Sequence, residues 1–259
     1  MTHVTSQDGT TITYDRLGDG PPLILVSGAL CDRRTPSSGV PLAQQVEGFT
    51  SYAYDRRGRG DSGDTQPYAK EREFEDLHAV IEAAGGQAAV YGMSSGGILA
   101  LEAAAAGLPI TALALYEPPY VAEVGHPVVP DYLSRMQEAV ASNHRADALR
   151  LFMVEAVGMP AEMFEGMRHA PVWPGLEAIA PTLLYDAHFT HTGRLPAAAS
   201  GITVPTTVLA GDQSPPFLQD AARATAKAIP GATYLALEGQ THDVDPAVLG
   251  PVLADTLRR

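Results

Sequence analysis

The chain has 259 residues, of which 45% are hydrophobic, enough to build the core of one α/β domain with an inserted cap. It carries 17 lysines and arginines against 30 aspartates and glutamates, a formal net charge of −13. An acidic surface of this kind repels phosphate backbones and anionic lipid, so we expect neither a nucleic-acid nor a membrane partner.

The cysteine content and the N-terminal sequence bear on the compartment. Cys31 is the single cysteine, which excludes an intrachain disulfide and suits a reducing environment. The first residues lack a basic segment followed by an apolar run, and no later apolar stretch is long enough to span a bilayer. We therefore predict a cytoplasmic protein.

The hydrophobic pattern changes along the chain from alternating to continuous. Thr2 to Leu17 alternate β-forming residues around Asp8-Gly9, which predicts an opening hairpin. Short apolar runs then alternate with helical segments; the runs cover residues 22–27, 49–55, 88–92, 110–116, 206–210 and 232–237, and the helical segments residues 71–84, 98–106, 217–229 and 246–256. Continuous apolar strands separated by helices predict a mostly parallel sheet with helices on both faces.

The alternation breaks between Pro118 and about Ser200, in a stretch with the features of a helical insertion. It holds five of the seven methionines, Met136, Met153, Met159, Met163 and Met167. We predict a core domain of residues 1–117 and 201–259 and a cap of residues 118–200. Because the insertion follows the sixth strand at its carboxyl end, where α/β folds bind ligands, we expect a lid with an apolar underside.

A nucleophile motif follows the fifth predicted strand. Gly92-Met93-Ser94-Ser95-Gly96 matches G-x-S-x-G between a strand and a helix. Small residues on both sides allow a sharp, strained turn, which we call the elbow, that exposes one side chain above the sheet. Ser94 is therefore the predicted nucleophile.

A serine nucleophile needs a base and donors for an oxyanion. His242 lies between the last predicted strand and the closing helix, where a loop can bring its imidazole to the elbow. The amide of Ser95, at a helix start, supplies one donor, and the amide of Ala29, after the strand of residues 22–27, supplies the second. We expect the substrate to contact Gly28, Leu30, Met93, Met153 and Trp173.

The histidine needs an acid to orient it, and Ser214, in the loop after the strand of residues 206–210, cannot supply a charge. Asp212 lies two residues before Ser214, and Asp243 is adjacent to His242 in sequence and poorly placed to reach the same ring. Glu117 follows the strand of residues 110–116, next along the chain after the strand that carries Ser94. We predict Glu117 as the acid and keep Asp212 as the alternative.

The elbow, the turn of residues 55–62 (DRRGRGDS) and the late histidine together resemble the α/β-hydrolase superfamily over nearly the whole chain. The resemblance implies a sheet in which the strands before Ser94 and Glu117 are neighbours, and arginines in the turn that brace loops, although they could instead bind a substrate carboxylate. An acid after the sixth strand is similar to that of fungal zearalenone lactonases, as are the doubled serine of GMSSGG and the Pro171-Val172-Trp173 segment. By that resemblance Trp173 lines the substrate pocket.

These features predict a cofactor-independent serine hydrolase that cleaves an ester or lactone of a small, largely apolar molecule. The alternatives are a lyase, cyclase or perhydrolase with the same triad, and a small-molecule receptor with a vestigial one. No cluster has metal-ligand spacing and no strand precedes G-x-G-x-x-G, so we expect neither a metal nor a nucleotide cofactor. A homodimer is compatible with the sequence.

Overall fold

A mixed sheet organises residues 2–258, the part of the chain that the computed structural model describes; Met1 and Arg259 lie outside it. Within that range the sheet has eight strands: β1 Thr2–Thr5, β2 Thr11–Gly18, β3 Pro22–Val26, β4 Thr50–Tyr54, β5 Ala88–Met93, β6 Ile110–Tyr116, β7 Thr206–Gly211 and β8 Thr233–Leu237. Their order is β1-β2-β4-β3-β5-β6-β7-β8. β2 pairs antiparallel with β1 and β4, and all other neighbours are parallel, which confirms the predicted sheet and its opening hairpin.

The apolar strands are buried because helices cover both faces of the sheet. Successive side chains of a strand point to opposite faces, so Ile24 and Val26 belong to one hydrophobic cluster and Leu23 and Leu25 to the other. All four are fully buried, and each such side chain contributes roughly 1.5–3 kcal/mol to folding. The continuous apolar runs of the sequence therefore reflect burial on both faces of the sheet.

The α-helices within the described range are α1 Val40–Ala43, α2 Lys70–Ala83, α3 Ser95–Ala105, α4 Tyr132–Ala141, α5 Arg145–Arg150, α6 Ala161–Met167, α7 Trp173–Ile179, α8 Leu183–Thr190, α9 Pro216–Ala228 and α10 Pro246–Leu257. Helix α3 begins at Ser95, three residues before the predicted start. We predicted the start too late because Gly96 and Gly97 have poor helix propensity, so the first turn gives no helical signal in the sequence.

The segment between β6 and β7 has a hydrophobic cluster of its own, built from helices α4 to α8. A π-helical turn at Leu151–Ala156 joins α5 to the loop before α6. We call this segment the cap and keep the bounds 118–200 as our proposal. No helix among residues 2–258 is long and apolar enough to cross a membrane.

The turn at residues 55–62 is braced by buried arginines. Arg57 forms a two-pronged contact with Asp76, at 2.7 Å from each carboxylate oxygen, and its Nη1 lies 2.9 Å from Asp8 Oδ2. Burial alone would raise the pKa of Asp8, but hydrogen bonds from Thr10 and Arg57 lower it from 3.8 to about 2. The turn thus fastens helix α2 and the opening hairpin to the sheet.

Candidate active site

The loop between β5 and α3 makes a strained turn around Ser94. Its backbone angles are φ 55° and ψ −124°, a region that non-glycine residues rarely occupy. A Cβ atom on Gly92 would lie 2.5 Å from the Gly96 carbonyl oxygen, so the turn requires glycine there. Ser94 is also the one residue between Ala88 and Leu101 that is not buried. The turn therefore presents a single polar side chain at the edge of a buried strand.

Strand β6 brings Glu117 to the same edge. Met93 and Tyr116 are register partners at the ends of β5 and β6, and the Ser94 amide donates to the Tyr116 carbonyl oxygen at 2.9 Å. Glu117 comes one residue later with φ 46°, and its own amide donates to Leu209 of β7 at 2.9 Å. The serine and the glutamate thus occupy matching positions on neighbouring strands.

The carboxylate of Glu117 is fully buried and has two partners. Oε1 accepts a hydrogen bond from the Gly211 amide at 2.8 Å, and Oε2 lies 2.6 Å from His242 Nδ1. The Tyr116 hydroxyl donates to the carbonyl oxygen of Thr241 at 2.6 Å, which holds the loop that carries the imidazole. The His242 side chain is 39% exposed, so the ring joins a buried carboxylate to an accessible surface.

The other candidate acids do not contact the histidine. Asp212 is exposed, and its Oδ1 accepts from the Gly239 amide at 2.8 Å. Asp243 is exposed as well. The Ser214 hydroxyl is buried and has no hydrogen-bond partner among the residues that the structure describes. Of the acids considered from the sequence, Glu117 is the one that the fold brings to His242.

The loop after β3 places the predicted oxyanion donors close to the serine. A Cβ atom on Gly28 would lie 3.1 Å from Ser94 Cβ, which is tighter than most such contacts, so glycine favours this close approach of the loop. Within residues 2–258, neither the Ala29 amide nor the Ser95 amide donates to another protein group. Burial raises the pKa of the nearby Cys31 thiol, which leaves it a poor nucleophile. The two amides can donate to a negatively charged oxygen.

The predicted substrate-contacting residues come from both the core and the cap. Met93, Met153 and Trp173 are buried, and Trp173 packs edge-on against Phe164 with ring centroids 5.5 Å apart. Leu30, like Ala29, is half-buried and packs against the cluster of the cap that contains Met153 and Trp173. The loop after β3, which we call the oxyanion loop, therefore shares one apolar surface with the cap.

Behind the loop after β3 lies a network of buried charged side chains that we did not predict from the sequence. Arg56 lies 2.6 Å from Glu73 and 2.8 Å from Asp186, and Arg59 lies 2.7 Å from the second oxygen of Asp186. The Ser95 hydroxyl donates to Asp186 at 2.7 Å. The arginines thus brace loops from within the protein. Asp186 was detectable as a carboxylate in the apolar helix LLYDAHFT, although its partners were not.

A mostly parallel sheet with helices on both faces and a strained serine turn after its fifth strand defines the α/β hydrolases as a structural class. The family model described as "Alpha/beta hydrolase family" matches residues 23–249. The chain therefore belongs to the alpha/beta hydrolase family, which confirms the predicted fold class and supports hydrolase activity. No curated protein matches the chain.

Solved structures give the same picture of the fold. An alpha/beta hydrolase from Sphaerobacter thermophilus DSM 20745 is 48% identical, with a TM-score of 0.90 and coverage of 99% of this chain and 100% of its own. An enol-lactonase from Burkholderia xenovorans LB400 is 20% identical with a TM-score of 0.71, and each chain is covered fully. The esterase RhEst1 from Rhodococcus sp. ECU1013 is 21% identical with a TM-score of 0.70, over 99% of this chain and 96% of that one. The last two likenesses concern the fold alone.

Proposed function

We propose that the protein is a cofactor-independent serine hydrolase that cleaves an ester or lactone bond of a small, largely apolar molecule. The observation that carries this proposal is the 2.6 Å contact between His242 Nδ1 and the buried carboxylate of Glu117, one strand away from the Ser94 elbow. A carboxylate on Nδ1 fixes the imidazole tautomer in which Nε2 is free to accept a proton.

The reaction proceeds through an acyl-enzyme. Ser94 Oγ attacks the carbonyl carbon while His242 Nε2 takes the hydroxyl proton, and Glu117 stabilises the imidazolium that forms. The amides of Ala29 and Ser95 donate to the oxyanion, and one such donor is worth about 2.7–4 kcal/mol in the transition state. His242 returns the proton to the leaving alcohol, and water, activated by the same imidazole, releases the acid.

The apolar cluster that Leu30 shares with Met153 and Trp173 of the cap favours an apolar substrate. Leu30, Met93, Met153 and Trp173 carry no charge, and the cap of residues 118–200 acts as a lid over the elbow. The positions of acid and serine support the sequence resemblance to zearalenone lactonases. Lactone substrates also agree with the name of the Burkholderia enol-lactonase, whose fold this chain shares.

The test combines labelling with turnover. Wild type and Ser94→Ala are treated with a fluorophosphonate probe and assayed on p-nitrophenyl esters and aryl lactones; Ser134→Ala, an exposed serine of the cap, is the matched control. Wild type and the control should be labelled and active, whereas Ser94→Ala should lose the label and about 10⁶-fold in kcat. Unlabelled wild type would refute the proposal. Labelled wild type without turnover of any ester or lactone would favour a non-hydrolytic reaction of the same triad.

A further inference from the structure

We propose that Asp186, on helix α8 of the cap, is a positioning residue for both oxyanion donors, acting through Arg59 and through the side chain of Ser95. The proposal rests on the function proposed above and extends it, because it assigns to the cap a part in transition-state stabilisation.

The first connection runs through Arg59 to the Ala29 amide. Arg59 Nη1 donates to the Gly28 carbonyl oxygen at 2.6 Å, while Nη2 lies 2.7 Å from Asp186 Oδ2. The Gly28 carbonyl and the Ala29 N–H belong to one planar trans peptide, so the two bonds point in opposite directions and their dipoles add. The guanidinium that holds the oxygen therefore sets the direction of the N–H and polarises it as a donor.

The second connection runs directly to Ser95. Its hydroxyl donates to Asp186 Oδ1 at 2.7 Å, and Arg56 Nη1 lies 2.8 Å from the same oxygen. Ser95 is the first residue of α3, where the backbone N–H has no partner within the helix. Anchoring its side chain fixes the orientation of the residue whose amide faces the oxyanion.

The charges of this network balance inside the protein. Two arginines, Arg56 and Arg59, face two carboxylates, Glu73 and Asp186, and each of the four side chains is at most 1% exposed. Burial would raise the pKa of Asp186, but the guanidiniums of Arg59 and Arg56 hold it below its ordinary value. Asp186 is therefore a carboxylate at neutral pH. Buried ion pairs add little net stability compared with apolar side chains of similar size, so stability is a weak explanation for this arrangement.

Docking of the cap onto the core is therefore coupled to the alignment of the two oxyanion donors, the amides of Ala29 and Ser95. Asp186 is the residue of the cap that contacts both the loop-bracing Arg59 and the hydroxyl of Ser95. Removing its charge should therefore weaken binding of the transition state more than binding of the substrate, which separates kcat from KM.

The test compares Asp186→Asn with Tyr185→Phe. Tyr185 is the neighbouring residue of α8, and its hydroxyl donates to Asp64 of the core at 2.8 Å, so its loss weakens a cap contact that does not reach the oxyanion loop. We measure kcat and KM on a p-nitrophenyl ester and the affinity of phenylboronic acid, whose tetrahedral adduct with serine places an oxygen in the oxyanion hole. For Asp186→Asn we expect kcat to fall about 30- to 100-fold, boronate affinity to fall by a similar factor, and KM to change less than about threefold. Tyr185→Phe should leave all three within about threefold.

Equal losses in Asp186→Asn and Tyr185→Phe would overturn the proposal, because they would indicate a general loss of cap docking. Unchanged kcat and boronate affinity in Asp186→Asn would overturn it as well. Arg59→Lys provides a second variant for the case that Asp186→Asn does not fold: it keeps the buried positive charge but cannot contact Gly28 and Asp186 together, and we expect the same kinetic pattern.

A crystal structure of Arg59→Lys separates this proposal from the proposed function. A rotated Gly28-Ala29 peptide supports the positioning role whatever the substrate is. A peptide that keeps its orientation overturns the positioning role even if the enzyme is an esterase. Wild type that is neither labelled nor active on esters would instead refute the proposed function itself.

Discussion

Replacement of Glu117 by glutamine tests the proposed role of this residue as the acid most directly. The side chain is fully buried, with Oε1 on the Gly211 amide and Oε2 on His242 Nδ1. Glutamine has nearly the same shape, and its single oxygen can keep the hydrogen bond from the Gly211 N–H. The NH₂ group then faces Nδ1 and forces the ring proton to Nε2, where it blocks acceptance of the Ser94 proton.

The magnitude follows from that change of tautomer. The corresponding change in a serine protease lowers kcat by about 10⁴-fold, which equals about 5 kcal/mol in the barrier at 1.36 kcal/mol per tenfold change in rate. The buried hydrogen bonds of the side chain are kept in number, so the free energy of unfolding should change by less than about 2 kcal/mol. For Glu117→Gln we therefore expect a large loss of kcat with little change in the free energy of unfolding.

The assay is stopped-flow release of p-nitrophenol together with urea unfolding of the same preparations. Asp212→Asn is the matched control, because this exposed aspartate follows Gly211 directly and does not contact His242. The control should keep kcat within about threefold, as surface substitutions usually do. Activity of Glu117→Gln within tenfold of wild type, or a thousandfold loss in Asp212→Asn, would refute the reasoning.

Three further changes probe the scaffold around the site. Gly96→Ala should lower the free energy of unfolding in urea by at least about 3 kcal/mol, because the new Cβ would lie 2.5 Å from a carbonyl oxygen of β3. The control is Gly175→Ala, on helix α7 with open space around it, which should be neutral or stabilising by up to about 1 kcal/mol. Tyr116→Phe loses its hydrogen bond to the histidine loop, and we expect a loss of about 1 kcal/mol in stability and a lower kcat at unchanged KM; an unchanged kcat would argue against its role in holding the loop. Folding lowers the pKa of Asp8 from 3.8 to about 2, so the ionised carboxylate stabilises the folded state fully above about pH 4, and this stabilisation is lost as the pH falls through 2. Asp8→Asn should therefore lower the free energy of unfolding by about 1–2 kcal/mol at pH 7, and the difference from wild type should shrink below pH 4. A difference that grows below pH 4 would contradict this assignment.

The sheet and the elbow were predictable from local sequence because their signals are local. Buried parallel strands appear as continuous apolar runs, and the glycines around Ser94 stand within two residues of it. The one-turn helix α1 lies between the apolar runs of residues 22–27 and 49–55, where we predicted no helix. Leu42 and Ala43, whose burial stabilises it, are too short a run to produce a helical period. Asp186 escaped prediction because its partners Arg56 and Arg59 lie 130 and 127 residues away along the chain.

The contacts of Asp186 also set a condition for recombining caps among α/β hydrolases. A foreign cap grafted onto this core without a carboxylate at the matching position would leave Arg56 and Arg59 with excess positive charge in a dry interior, at a cost of about 3–5 kcal/mol. Chimeras that carry the aspartate along, or that replace both arginines by apolar residues, avoid this penalty. The substrate range of such chimeras can then be varied through the apolar residues of the cap, while the ion pairs between Asp186 and the two arginines are kept.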